Sequence, residues 1–131
     1  MSAEVRSGIL TEENLRGEVD HIRDYLLARG FEDIVVMYGL ACNLEMDDLY
    51  QERPLKTDAL PEFVRASQQK GVFILGECDL HVDSTDMTVR FTLYHESDVH
   101  FEGSPEEAGT LRDRWQALGY APHFVQDGSE A

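Results

Sequence analysis

Two stretches of alternating side chains, Val72–Asp83 and Asp86–Glu96, are joined by the turn-forming run Asp83-Ser84-Thr85-Asp86. Strand side chains point alternately to opposite faces, so this pattern predicts a β-hairpin with one apolar and one polar side. With a tight turn, Leu80 faces Val89, Cys78 faces Phe91 and Val82 faces Met87. The same register sets Asp79 opposite Arg90 as a cross-strand ion pair, and His81 opposite Thr88.

The polar side is acidic. Between Gly71 and Leu111 nine carboxylates (Glu77, Asp79, Asp83, Asp86, Glu96, Asp98, Glu102, Glu106 and Glu107) stand against one cation, Arg90. More than half of the net charge of −15 falls in this segment. A sheet with one apolar and one anionic face repels nucleic acid and acidic membranes and attracts basic protein surfaces. Direct nucleic-acid binding, which needs clustered lysine and arginine, is thereby disfavoured.

Helices frame the hairpin. Thr11 caps the first, Glu12 and Glu13 suit its positive end, and Leu15, Val19, Ile22 and Leu26 form its apolar stripe up to Gly30. Glu32–Leu40 reads as a strand and 45–55 mostly as a loop ending at Pro54. Asp58 is placed to cap a second helix running to Lys70, with Pro61 in its first turn and Gly71 as its stop. A short strand, Val99–Glu102, follows the turn at Glu96-Ser97-Asp98. Ser104-Pro105-Glu106-Glu107 opens a last helix whose stripe is Ala108, Leu111, Trp115 and Leu118. The expectation is one α+β domain over residues 1–131, with 1–8 and 126–131 frayed. Its mostly antiparallel sheet has about four strands, and three helices pack on one face.

A chain of 131 residues buries enough surface to fold without disulfides or a structural metal, and Cys42 and Cys78 read as buried reduced thiols. No secretory signal begins the chain, and no apolar run approaches the ~20 residues of a membrane span. A cytoplasmic protein is expected. Nine arginines against two lysines fit a GC-rich bacterial genome.

Catalytic motifs are lacking. The predicted register separates His81 from His100 by about 20 Å, too far for one metal with Asp79, Asp83 and Asp98, and parity points His95 to the apolar face. Glu77 and Asp79 share a face about 7 Å apart, but on an open sheet both are solvated. No Gly-x-Ser-x-Gly elbow or phosphate-cradling glycine run occurs. No catalytic residue, cofactor or metal is therefore expected.

These features point to a non-catalytic acidic protein that neutralises a basic partner, a toxin or an enzyme acting on nucleic acid. The expected contacts are Glu77, Asp79, Asp83, Tyr94, Asp98 and Glu102 on the sheet, with Asp47, Asp48 and Tyr50 in the loop. Tyr94 and Tyr50 supply the aromatic anchors that charge alone does not provide. Small acidic inhibitors, the immunity proteins that protect bacteria from their own toxins among them, share this size and charge profile, although no motif names a family. The chain itself is expected to be a monomer or homodimer. The competing reading is a small-ligand-binding domain or small enzyme with a pocket between sheet and helices, using His95, His100, Tyr38 and Tyr94.

Overall fold

The computed structural model describes residues 2–125. In chain order they form β1 (Ala3–Arg6), α1 (Glu12–Ala28), β2 (Asp33–Tyr38), β3 (Arg53–Lys56), α2 (Leu60–Gln69), β4 (Leu80–Ser84), β5 (Arg90–Leu93), β6 (Val99–Gly103), α3 (Pro105–Ala117) and β7 (His123–Phe124). The two outer helices start where their caps predict. Thr11 Oγ1 accepts from the Asn14 amide at 3.1 Å, and Ser104 Oγ accepts from the Glu107 amide at 3.1 Å. Asp58 does not cap α2. A 3-10 turn, Thr57–Ala59, leads into that helix, and the buried Thr57 hydroxyl donates to Phe31 O at 2.7 Å.

All strands join one antiparallel sheet in the order β3-β2-β4-β5-β6-β1-β7. Alternation sorts their side chains. Ile34, Val36, Leu80, Val82, Phe91, Leu93, Val99, Phe101 and Val5 turn to the helices and meet Leu15, Ile22, Leu26, Leu60, Leu111 and Trp115 in one buried core. Each such large side chain contributes roughly 1.5–3 kcal/mol by leaving water. His81, Asp83, Arg90, Thr92, His100, Glu102, Glu4 and Arg6, out of phase with that set, lie on the face opposite the helices.

Seven strands replace the four expected. Those missed are β1, β3 and β7, each of four residues or fewer, too short to show a period. β3 also carries Pro54, tolerated because this strand is a sheet edge. Residues 3–6 are not frayed: β1 lies between β6 and β7, with Val5 buried opposite Phe101. The expectation for 126–131 lies outside the described residues.

The hairpin forms with a wider turn. Asp83 pairs with Arg90, Val82 with Phe91, His81 with Thr92 and Leu80 with Leu93. Ser84 Oγ accepts from the amides of Thr88 and Val89 at 3.1 and 3.0 Å, and Asp86 Oδ1 takes the Thr88 amide at 3.0 Å. These side-chain bonds hold four residues, 85–88, in the loop, with Met87 at φ 62°. The displacement preserves parity, so the faces are as predicted although every partner changes. Strand structure begins at Leu80 instead of Val72. Residues 74–78 form a turn through Gly76 (φ 89°), where an added Cβ would come within 2.8 Å of Ser97 Oγ.

Candidate functional site

The carboxylates after Gly71 do not merge into a single anionic sheet face. Asp79 is 5% exposed; its Oδ1 accepts from the His95 amide at 2.8 Å and lies 2.8 Å from His95 Nδ1. Asp83 is 2% exposed and takes Arg90 Nε and Nη2 at 2.5 and 3.0 Å. Asp98 is half-buried and bonded to His100 Nε2 at 2.9 Å. Asp79 and Asp83 are matched by donors from the β5–β6 turn and the adjoining strand, whereas Asp98 has only Oδ2 bonded and its Oδ1 is buried without a partner among the described residues. Glu102 stays exposed, opposite both Arg90 and Glu4, and Glu77 is exposed in the turn before β4.

The sheet's topology gathers a different acidic surface. The segment 39–52 after β2, the segment 71–79 before β4 and the β5–β6 turn, 94–98, all leave the same end of the sheet, because Tyr38 pairs with Leu80, Leu80 with Leu93, and Leu93 with Val99. Backbone bonds tie them: Gly39 N to Asp79 O and Asp79 N to Leu40 O, both 2.9 Å, and Asn43 N to Val72 O, 2.9 Å. These loops hold eight carboxylates and no lysine or arginine. Removing the enclosed Asp79 and Asp98 leaves Glu45, Asp47, Asp48, Glu52, Glu77 and Glu96 at the surface.

Apolar side chains stand among them. Met46 is 86% exposed and Tyr50 54%, with Leu40 and Ile74 also exposed. Ile9, 84% exposed, arrives from the β1–α1 connection, whose Leu10 amide bonds Ser97 O at 2.8 Å. Ala41, Tyr50 and Ser97 adopt left-handed backbone (φ 70°, 59° and 65°), costly for residues with a Cβ. Such strain concentrates where a side chain must be held in one place. The Tyr50 amide donates to Tyr38 O at 2.7 Å, and its ring leans over His81 at 6.0 Å between centroids. Of the predicted contacts, Asp47, Asp48, Tyr50 and Glu77 thus come together, while Asp79 and Asp83 are withdrawn. Sequence reasoning missed Ile9, Leu40, Met46 and Ile74: Leu40 and Ile74 were assigned to predicted strands, which end earlier or begin later in the fold, and Met46 stood in the predicted loop.

On the open sheet face, His81, Thr92 and His100 occupy one row across β4, β5 and β6. The 20 Å separation expected of the two histidines shrinks to about 10 Å, two strand spacings. They line a cavity of 170 Å³ with Tyr94, Arg90, Glu4 and Glu102. Tyr94 stacks on His100 and meets the tilted ring of His95, both at 4.2 Å between centroids, and burial, then Asp79 and Glu96, raises its phenol above the ordinary range. Burial, aided by Arg90, lowers His81. His95 lies on this side with Asp79, not on the apolar face. Among the described residues no group of three His, Cys, Asp or Glu side chains is placed to hold a metal ion.

The pocket imagined between sheet and helices is filled by Phe91, Phe101 and Leu80. Tyr38 faces that core and bonds Ser67, away from Tyr94, His95 and His100. A cleft of 610 Å³ does lie between α1 and α2, but its Arg16, Arg23 and Arg65 are paired within their own helices to Glu12, Asp24 and Glu62. The cysteines are unbridged, and burial, reinforced by Cys78, pushes the Cys42 thiol up to about 12. That thiol stays protonated at neutral pH and makes a poor nucleophile.

Protein-family models, curated proteins and solved structures were all compared with the chain. None matches. No helix of the described residues is long and apolar enough to cross a membrane.

Proposed function

We propose that this protein is a non-catalytic binder of a basic partner protein, docking through the loop end of its sheet. The observation that carries the reading is the composition of that end: six surface carboxylates, no cation in the loops, and exposed Met46, Tyr50, Leu40, Ile74 and Ile9. Carboxylates steer a basic protein and select it, whereas the apolar and aromatic side chains supply burial energy at the centre. Isolated apolar residues on a surface need no explanation, but five at one end amid like charges do.

A partner that acts on nucleic acid has a basic groove shaped for phosphates, and carboxylates seated there exclude the polyanion. This is the logic of an inhibitor or immunity protein held in the same cytoplasm as its toxin. The test is to isolate the partner from the native host and measure association by stopped flow against ionic strength. The rate should fall by about tenfold or more between low and high salt. Asp47→Asn/Asp48→Asn/Glu52→Gln should slow association further while leaving the melting temperature nearly unchanged. A partner without a basic surface, or a salt-independent rate, refutes the reading.

A further inference from the structure

The cavity on the open sheet face continues the docking end, and its lining has a distinct chemistry. Tyr94 belongs to the β5–β6 turn at the docking end, and Tyr50 from the acidic loop leans over His81 at the cavity floor. Its charged walls come from one row of the sheet, in which Asp83, Arg90, Glu102 and Glu4 stand side by side. Arg90 is occupied by both oxygens of Asp83, and Glu4 is held by Arg6 Nε at 2.7 Å. Glu102 has no ion-pair partner among the described residues and faces Glu4 directly across the strand pair. Arg6 neutralises Glu4 in place, with His100 Nδ1 3.8 Å from the same carboxylate, so the uncompensated charge of this row is that of Glu102. A cation beside Glu102 compensates it.

We infer that this cavity receives the guanidinium of an arginine from the basic partner. The inference rests on the reading of the chain as a binder of a basic protein and names one contact within it. A planar guanidinium suits the site for three reasons. It takes both oxygens of the Glu102 carboxylate with its fork of N–H donors, as a point-like ammonium does not. It lies favourably against aromatic rings, here Tyr94 and the imidazoles of His81 and His100. The 170 Å³ of space admits one long side chain and no globular element. Arg90 does not oppose it, since Asp83 neutralises that charge in place.

The probe is a short capped peptide, Gly-Arg-Gly, titrated into the isotope-labelled full chain and followed by NMR. Its controls replace arginine with citrulline, the neutral isostere, or with lysine. The arginine peptide should give saturable shifts at Tyr94, His100 and Glu102; the citrulline peptide should give none, and the lysine peptide should bind roughly fivefold more weakly. Glu102→Gln, at an exposed position with no part in the core, should lower arginine-peptide affinity by about fivefold to tenfold with the fold intact. Equal binding of the citrulline or lysine peptide overturns the guanidinium site. Shifts confined to the acidic loops around Asp47 and Glu77 overturn the cavity contact and leave the docking end standing. No shift at any residue removes the cavity contact too, while the partner's salt-dependent association still tests the docking end separately.

Discussion

A carboxylate in this chain does one of two things, and Asp83 on the sheet and Asp47 in the loop show both. Asp83 is enclosed, and its two oxygens hold the fork of the half-exposed Arg90; Asp47 sits in a short 3-10 turn with its side chain in water. Truncating Asp83 strands a guanidinium that can recover only part of its hydration. Asp83→Ala should therefore cost about 1–3 kcal/mol, and Asp79→Ala, which loses the His95 amide and ring together, a similar amount. Asp47→Ala should fall within about 0.5 kcal/mol of the parent. Urea midpoints of the three variants check this ordering; equal midpoints would mean that Asp79 and Asp83 are as solvated as Asp47. The same division explains why alternation could not locate the acidic surface. Parity tells which way a side chain points, but not whether a donor from the next strand waits there.

Among the elements, β1 separates the reading of the sequence from the fold most clearly. Its four residues pair with β6 on one side and β7 on the other, Val5 enters the core, and Ser7 exchanges bonds with Val99 (N to O 2.9 Å, and Val99 N to Ser7 Oγ 3.0 Å). Deleting residues 1–7 removes a buried valine and a ladder and leaves β7 without a neighbour. The loss should reach about 3 kcal/mol or more, read as a large fall in melting temperature by circular dichroism. An unchanged melt would return this segment to the frayed state that its sequence suggests. Helices α1 and α3 were legible because cap, first-turn acids and stripe agree at each, except that Leu118, read as part of the stripe of α3, lies past its end at the C-cap and is 48% exposed. The hairpin was legible in its faces and not in its pairs, since a slip of an even number of residues leaves the alternation intact; the bonds of Ser84 and Asp86 decide it. At the acidic loop end of the sheet, Asp47, Asp48 and Tyr50 were readable as neighbours in the chain. Ile9 and Ile74 join them only through the topology of the sheet, which no local pattern encodes.

For the whole molecule the acid limb of stability tests how the charges are housed. The net charge of −15 makes the folded chain repel itself, and that repulsion eases only as carboxylates protonate near pH 4. His21 and His81 act at higher pH and in the opposite sense. Burial, then Arg114, lowers His21 below its ordinary 6.5, and burial, then Arg90, lowers His81 likewise. Above about pH 6.5 both are neutral folded or unfolded, and the fold keeps its full stability. As pH falls, the unfolded chain takes up protons there first, and stability is lost as pH drops through the folded values. The parent should thus begin to lose stability as pH falls below about 6.5, before the carboxylates respond. His21→Gln/His81→Gln, which keeps polar side chains at both sites, should flatten that slope and leave the response near pH 4 unchanged. Urea midpoints taken in small pH steps at fixed ionic strength read the two windows separately. If the parent and the double variant trace the same slope down to pH 5, the two imidazoles are not kept neutral by the fold, and the enclosure of His81 beneath Tyr50 and beside Arg90 is wrong.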